Sequence, residues 1–259
     1  MKTIKIFLLL AFMEIAGLSS LAFIQTSYKI KPVAAADEGF AVVELFTSEG
    51  CSSCPPADAV VAKIEQEVTG KPVYILTYHV DYWNRLGWKD VFSSPDYSRR
   101  QNNYANWLNL SSVYTPQVIV NGQTEFVGSQ EGTLRNAIGM GLKQSVTVKL
   151  SLSDVKINNN SATIKYHTDA ASGSIIVLAL VQKQATTVVK AGENRGRSLS
   201  HVQIVTNIKT ISVSASLGEN DIKLPPNFSA KNFELIAFLQ DSKTGKINAA
   251  ARTGFPISL

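Results

Sequence analysis

The stretch LFTSEGCSSCPPAD, residues 45–58, holds the only two cysteines of the chain, Cys51 and Cys54. The apolar run over residues 41–46 predicts a short strand before them, and apolar residues recur at helical offsets over residues 57–68. The pair is therefore predicted to lie where a strand leads into a helix. Unpaired N–H groups and the dipole at the start of a helix favour a thiolate. This makes Cys51 the candidate nucleophile and Cys54 the candidate resolving cysteine.

Three kinds of site fit a CxxC pair in a chain with no other cysteine. A structural bridge over so few residues removes little entropy from the unfolded chain and would stabilise the fold little. A zinc site needs two further ligands, and the sequence offers three histidines and no second CxxC. The spacing and the position before a helix favour a redox pair, and the metal and structural alternatives stay open.

The segment after the cysteines alternates strands and helices. Residues 72–80 are apolar nearly throughout, which is typical of a central strand. A polar segment, residues 81–110, follows this strand, and we call it the detour. Within it, a Ser-Pro pair at residues 94–95 predicts a helix start. An Asn-Gly pair at residues 121–122 predicts a hairpin. With a last helix over residues 134–142, the order of elements is similar to that of thioredoxin-like proteins.

From residue 146 the sequence changes to alternating Ser, Thr, Val, Ile and Asn, interrupted by turn signals. This pattern is typical of an all-β sandwich. The predicted fold class is therefore an α/β thioredoxin-like domain with an inserted helical segment, residues 37–145, followed by an all-β sandwich-like domain, residues 146–259.

Residues 1–36 predict export. Two lysines precede an apolar run over residues 6–24, and small residues before Asp37 offer a cleavage site after Ala36. Glu14 interrupts the apolar run, which leaves an uncleaved anchor open as the alternative to a signal peptide. We expect a periplasmic or secreted protein whose only contact with a membrane would be this segment.

The basic charge of the chain is concentrated in the same segment. The formal net charge is +5, and residues 1–36 carry four lysines against one glutamate. The remaining chain is thus only weakly basic, and it contains no dense run of Lys and Arg. Nucleic-acid binding is therefore disfavoured.

Thr115 and Pro116 open the first strand of the predicted hairpin. The sequence alone favours a trans peptide bond before this proline, because few X–Pro bonds are cis. Only in a thioredoxin-like order is the bond expected to be cis and to lie beside the sulfurs. There, Thr115 could pair with the backbone of an extended substrate, as in strand addition. We assign both residues to substrate binding.

Glu44 and His79 are the candidate proton carriers. Glu44 lies in the strand before the cysteines, and a buried carboxyl there would have a raised pKa and could exchange a proton with Cys54. The alternative is a strand-end glutamate paired with a lysine. His79 ends the central strand at the edge where the cysteines are expected, so it is a candidate acid, base or metal ligand. A histidine that is merely hydrogen-bonded beneath the loop is the alternative.

The stretch AGENRGRSLSHV, residues 191–202, places Arg195, Arg197 and His201 around a glycine-rich turn. An exposed charged hairpin needs no function. If this turn leans over the cysteines, however, its cations could stabilise a thiolate or bind a substrate carboxylate. We assign these three residues to substrate binding.

The stretches VVELFTSEGCSSCPPAD, YHVDYWNRLGWKDVFSSPDYSRRQ, YTPQVIVNG and GENRGRSLSHV together resemble an uncharacterised secreted thioredoxin-like family, the domain of unknown function numbered twelve twenty-three. The resemblance covers nearly all of the chain after the signal. It implies a thioredoxin-like fold followed by a β-rich domain, and it implies no established substrate. Cys51, Cys54 and Thr115-Pro116 also resemble the active-site pair and cis-proline of thioredoxin-like oxidoreductases.

The sequence thus predicts an exported thiol-disulfide oxidoreductase that acts on cysteines of other exported proteins. We assign no cofactor beyond the Cys51–Cys54 disulfide and no metal ligand. One alternative is a copper-handling protein in which both thiolates and His79 hold Cu(I), a soft ion suited to sulfur. The other is a non-catalytic recognition module, since a fold does not fix a function.

Overall fold

The structure, a computed structural model, describes residues 39–170 and 173–257. The predicted signal segment, residues 1–36, lies outside them. The described elements follow one another as β1 (Ala41–Thr47), α1 (Pro55–Glu67), β2 (Val73–His79), a short 3-10 helix (Asn84–Leu86), α2 (Pro95–Trp107), β3 (Gln117–Val120), β4 (Thr124–Val127), α3 (Glu131–Leu142), β5 (Leu150–Asn158), β6 (Ser161–Thr168), β7 (Ser174–Val188), β8 (Ser198–Ser212), β9 (Leu217–Lys223), β10 (Phe233–Asp241) and β11 (Ile247–Gly254). Among these residues, no helix has the length and apolar character needed to cross a membrane.

Eight of the strands form one mixed sheet, in the order β11-β10-β7-β8-β2-β1-β3-β4. Strands β1 and β2 run parallel, with Thr47 opposite His79 at their carboxyl ends. Strand β3 is antiparallel to β1, and β8 lies parallel to the other edge of β2, with Thr77 opposite Ile204. Strands β5, β6 and β9 form a separate three-stranded antiparallel sheet.

The expected fold class, a thioredoxin-like α/β domain followed by a β-sandwich, is wrong. Most of the described structure is β, and strands from the second half of the chain continue the sheet of the first half, because β8 pairs with β2. Strand β7 is buried on both faces from Val177 to Val181, and β10 is buried from Phe233 to Gln240. Such strands belong inside a sheet that is covered on both sides. The expected domain boundary, between residues 145 and 146, falls after α3.

Three apolar clusters cover the large sheet. Beside β1, β2 and β3, one face packs on α1 and α3, whereas beside β7, β10 and β11 it packs on the three-stranded sheet. The opposite face is covered by α2 and the detour around it. Because side chains alternate along a strand, consecutive residues of β1 and β2 enter different clusters. Val43 packs towards α1, for example, while Phe46 packs towards α2.

The helices that hold the site begin at the signals expected from the sequence. Helix α2 starts at Pro95, and the Ser94 hydroxyl accepts a hydrogen bond from the Asp96 N–H. Helix α1 starts at Pro55, directly after Cys54, where a proline without an N–H costs the helix nothing. The cysteines therefore lie at the start of α1, as predicted.

Candidate functional site

Cys51 and Cys54 form a disulfide in the loop between β1 and α1, with their Cα atoms 5.4 Å apart. The Cys54 carbonyl accepts hydrogen bonds from the N–H groups of Ala57 and Asp58, so the loop is continuous with the first turn of α1. Both cysteines are fully buried, whereas the two serines between them are exposed. The disulfide thus lies beneath a short exposed stretch of backbone.

The Thr115–Pro116 peptide bond is cis. Trp83 links it to the cysteine loop, because the indole N–H donates to Thr115 Oγ1 at 2.8 Å and Trp83 also packs against Gly50. Gly128 lies in contact distance of both Pro116 and Ala57, in the first turn of α1. The structure therefore brings Thr115 and Pro116 to the cysteine end of α1, as the sequence led us to expect.

A group of five buried ionisable side chains lies beside this turn, and we call it the acid–histidine cluster. Its members come from the cysteine loop, α1, β2, the detour after β2 and β8, and none is more than 7% exposed: Glu49, Asp58, His79, Asp90 and His201. The carboxyl ends of β1 and β2 and the end of the β7–β8 hairpin nearest its turn meet here. A cluster of this size is costly to bury and is typical of functional sites.

Each histidine of the cluster faces a carboxylate. His79 Nδ1 lies 2.7 Å from Asp90 Oδ2, which also accepts the Glu49 N–H at 2.9 Å. His201 lies between two acids, with Nε2 3.4 Å from Glu49 Oε1 and Nδ1 3.8 Å from Asp58 Oδ2. The two imidazole rings pack edge to face with centroids 4.7 Å apart. The cluster is therefore continuous from the detour to α1.

Several atoms of the cluster have no hydrogen-bond partner among the described residues. They are both ring nitrogens of His201, Nε2 of His79, Oε1 of Glu49 and Oδ1 of Asp58. The other carboxylate oxygens of these two acids are bonded, to the Trp88 indole N–H and the Thr47 hydroxyl. Unpartnered buried polar atoms cost several kcal/mol in an apolar site, by rough transfer values. Here they mark positions where a proton can be gained or lost.

The protonation of the cluster is biased by its own charges. Burial opposes the charge on His79, but the Asp90 carboxylate outweighs it and raises the pKa of His79. Burial likewise opposes ionisation of Asp90, and His79 outweighs it and lowers the pKa of Asp90. For Asp58 burial prevails over the two histidines and raises its pKa. The cluster thus contains a buried histidine–carboxylate pair and, in Asp58, a carboxyl whose pKa is raised.

Glu44 lies elsewhere. It is buried on the α2 face of the sheet, where the Arg100 guanidinium binds its carboxylate through two nitrogens, one of them at 2.9 Å. The Tyr104 hydroxyl also donates to Glu44, and Gln240 of β10 bonds both Tyr104 and Arg100. This network joins β1, α2 and β10, and within residues 39–170 and 173–257 no side-chain hydrogen bond or ion pair of Glu44 reaches the cysteine loop. Glu44 as a proton carrier for Cys54 thus stays a prediction without a supporting contact.

The turn between β7 and β8, residues 192–197, reaches the cysteine loop, and we call it the hairpin tip. Asn194 is buried, and its Nδ2 donates to the carbonyls of Glu49 and Cys51, both at 2.9 Å. The Ser52 N–H donates to Glu193 Oε2 at 3.0 Å. Arg197 donates to Asn194 Oδ1 at 2.8 Å, and Arg195 is exposed.

The structure therefore brings His79, His201, Thr115 and Pro116 around the Cys51–Cys54 turn. It adds five residues that we did not assign to the site from the sequence: Glu49, Asp58, Asp90, Glu193 and Asn194. Asp58 carried a usable signal, because it follows Cys54 by four residues and so shares its face of α1. Within residues 39–170 and 173–257, no group of three or more His, Cys, Asp or Glu side chains is arranged to hold a metal ion.

One solved structure shares this architecture. A protein from Agrobacterium tumefaciens, known from a crystal structure, is 29% identical over 86% of this chain and 98% of its own, with a TM-score of 0.65. A domain of the outer membrane lipoprotein Omp28 from Porphyromonas gingivalis is 10% identical over 42% of this chain and 88% of its own, with a TM-score of 0.29.

No curated protein sequence matches the chain. The family described as "Protein of unknown function (DUF1223)" matches residues 42–240, so the chain belongs to this family.

Proposed function

We propose that the protein is a thiol-disulfide oxidoreductase that exchanges its Cys51–Cys54 disulfide with cysteines of other exported proteins. One observation carries the proposal: the disulfide is at the start of α1, and the same helical turn leads into a buried acid–histidine cluster through Asp58. A structural bridge of this size would stabilise the fold little and would need no such cluster. Export follows from the N-terminal segment and is part of the proposal.

In the proposed exchange, a thiolate of the substrate attacks Cys51 Sγ. A mixed disulfide forms, the Cys51–Cys54 bond breaks, and its electron pair leaves on Cys54 Sγ. Asp58 is the candidate to give this sulfur a proton, because it lies one helical turn after Cys54, is 7% exposed and has a raised pKa. When a second substrate thiolate attacks the mixed disulfide, it displaces Cys51, and the substrate leaves with its own disulfide.

The histidines of the cluster can restore the proton that Asp58 gives up. His201 faces Asp58 on one ring nitrogen and Glu49 on the other, and it packs on His79. In the proposed relay, a proton passes between Asp58 and His201 when their 3.8 Å separation closes to hydrogen-bond distance or when one water bridges it. Thr115 and Pro116 are proposed to dock the substrate backbone. Because both cysteines are buried, a protein substrate reaches Cys51 only after the loop shifts.

Turnover of a dithiol substrate and of reduced, unfolded ribonuclease by the purified full chain tests the proposal, with glutathione disulfide supplied as the oxidant that reforms the Cys51–Cys54 bond after each cycle. We expect activity that Cys51→Ser abolishes and that Asp58→Asn lowers roughly tenfold or more, a modest share of what general acid–base catalysis contributes. Asp154→Asn, at an exposed position in β5, is the matched control and should leave the rate unchanged. Equal rates for Cys51→Ser and wild type, or no exchange by the wild type in either direction, would contradict the proposal.

A further inference from the structure

The hairpin tip is attached to the part of the molecule that must change when the disulfide opens. The Asn194 side chain donates hydrogen bonds to the carbonyls of Glu49 and Cys51. The Glu193 carboxylate accepts a hydrogen bond from the Ser52 N–H, directly after Cys51. The β7–β8 hairpin belongs to the second half of the chain, and Asn194 lies more than 140 residues after Glu49 in the sequence. These contacts are not needed to pair β7 with β8, so their role lies in the cysteine loop.

Glu193 places a negative charge at the amide of Ser52, the residue directly after Cys51. Hydrogen bonds from the Ser52 hydroxyl and the Ser52 N–H lower the pKa of Glu193, so the side chain is a carboxylate at neutral pH. A carboxylate bound to the residue next to a cysteine disfavours the thiolate form of that cysteine, because the two negative charges repel each other. It also occupies the Ser52 N–H, a donor that could otherwise turn to a thiolate at Cys51.

Asn194 acts through geometry instead of charge. Its amide is 1% exposed and holds the carbonyls of Glu49 and Cys51, while Arg197 fixes its oxygen. A buried carbonyl that loses its donor is costly. Any movement that separates Cys51 from Cys54 must therefore work against these bonds.

We propose that the hairpin tip is a positioning element that favours the disulfide over the dithiol form of the cysteine pair, Glu193 through its charge and Asn194 through its two hydrogen bonds. This inference rests on the proposed redox role of Cys51 and Cys54. It assigns Glu193 and Asn194 to the control of the pair's redox equilibrium, without contact between either residue and the substrate.

The experiment equilibrates the full chain with glutathione buffers at pH 7 and counts free thiols by alkylation. Glu193→Gln keeps the hydrogen-bond acceptor and removes the charge. We expect it to shift the equilibrium roughly threefold to tenfold towards the dithiol and to lower the pKa of Cys51 in the reduced protein. The shift should shrink in 1 M salt, because Glu193 is exposed and its charge is screened there.

Glu219→Gln, an exposed glutamate in β9, removes the same charge far from the cysteines and should change nothing. Asn194→Ala should shift the equilibrium in the same direction, independently of salt. If Asn194→Ala does not fold, Glu193→Gln decides alone. A thiol–disulfide equilibrium constant of Glu193→Gln within twofold of wild type, or a shift of that variant towards the disulfide, would overturn the proposal. The experiment uses no protein substrate. A chain that is inactive on protein substrates would contradict the proposed function, and the effect of Glu193→Gln on the thiol–disulfide equilibrium could still be measured.

Discussion

The His79–Asp90 ion pair is fully buried, and its pH dependence follows from the shifts of both partners. The pKa of Asp90 is lowered from 3.8, so its contribution to stability is present above pH 3.8 and is lost as pH falls through the lower folded value. The pKa of His79 is raised from 6.5, so its contribution is full below pH 6.5 and is lost as pH rises through the higher folded value. The His79–Asp90 pair should therefore stabilise the fold most between pH 3.8 and pH 6.5, where both contributions are present.

We therefore expect Asp90→Asn to lower the free energy of unfolding by about 3 kcal/mol at pH 5.5, since it leaves a buried imidazole without its acid. The loss should be smaller at pH 9 than at pH 5.5, because the contribution of protonated His79 declines as pH rises through its raised pKa. Urea unfolding at the two pH values measures both numbers. Asp154→Asn, in an exposed ion pair with Lys165, serves as the control at each pH. A loss that is equal at pH 5.5 and pH 9 would show that the ion pair is not its source.

At this scale the sequence indicates the reactive residues better than their surroundings. Cys51, Cys54, His79 and His201 stand out by residue type and spacing, and all four meet at one site. Glu49 and Asp90 resemble ordinary surface acids in the sequence, because what buries them is the detour and β8. The ion pair between Glu44 and Arg100 could not be predicted for a similar reason. Arg100 lies in α2, and a local sequence pattern does not specify which strand the face of that helix packs against.

Among the elements, the β3–β4 hairpin has a turn that lies against the backbone of another turn. The Asn121-Gly122 turn predicted from the sequence is present, with positive φ at both residues, and Asn121 also pairs with the β1 backbone. A Cβ on Gly122 would overlap the Gly245 carbonyl of the β10–β11 turn. The two turns touch through backbone, so neither can move aside easily.

We expect Gly122→Ala to lower the free energy of unfolding by at least about 2 kcal/mol, from the overlap and from the left-handed backbone that alanine adopts poorly. Gly139→Ala is the matched control. Gly139 lies inside α3 with open space around its Cα, so alanine there should raise stability by about 0.5 to 1 kcal/mol. Thermal and urea unfolding of both variants test the pair. A stable Gly122→Ala variant would mean that the two turns separate readily.

Single elements were thus predictable where local chemistry decides them. The Ser94-Pro95 start of α2, the Asn-Gly turn and the helix after the cysteines each depend on a few neighbouring residues. The pairing of β8 with β2 does not. It brings together residues more than 120 positions apart, and the alternating pattern of β8 fits a separate sandwich as well as it fits this sheet.

Across the whole molecule, the shared sheet makes the two halves of the chain depend on each other. Phe46, Leu76 and Tyr78 from the first half pack in one cluster with residues of β7, β8 and β10. Without the second half, these side chains would form an exposed apolar patch and β2 would become an open edge. His201 would be lost from the cluster, and Glu49 and Asp58 would lose the imidazole between them.

We therefore expect residues 39–145, produced alone, to lack a cooperative unfolding transition and to give a poorly dispersed amide NMR spectrum. Residues 39–257 should show both a sharp transition and a dispersed spectrum. Adding residues 146–257 as a separate chain should restore dispersion in part, because the β2–β8 and α1–β8 contacts can form between chains. A fragment 39–145 that unfolds cooperatively on its own would mean that the shared sheet joins two independently stable units.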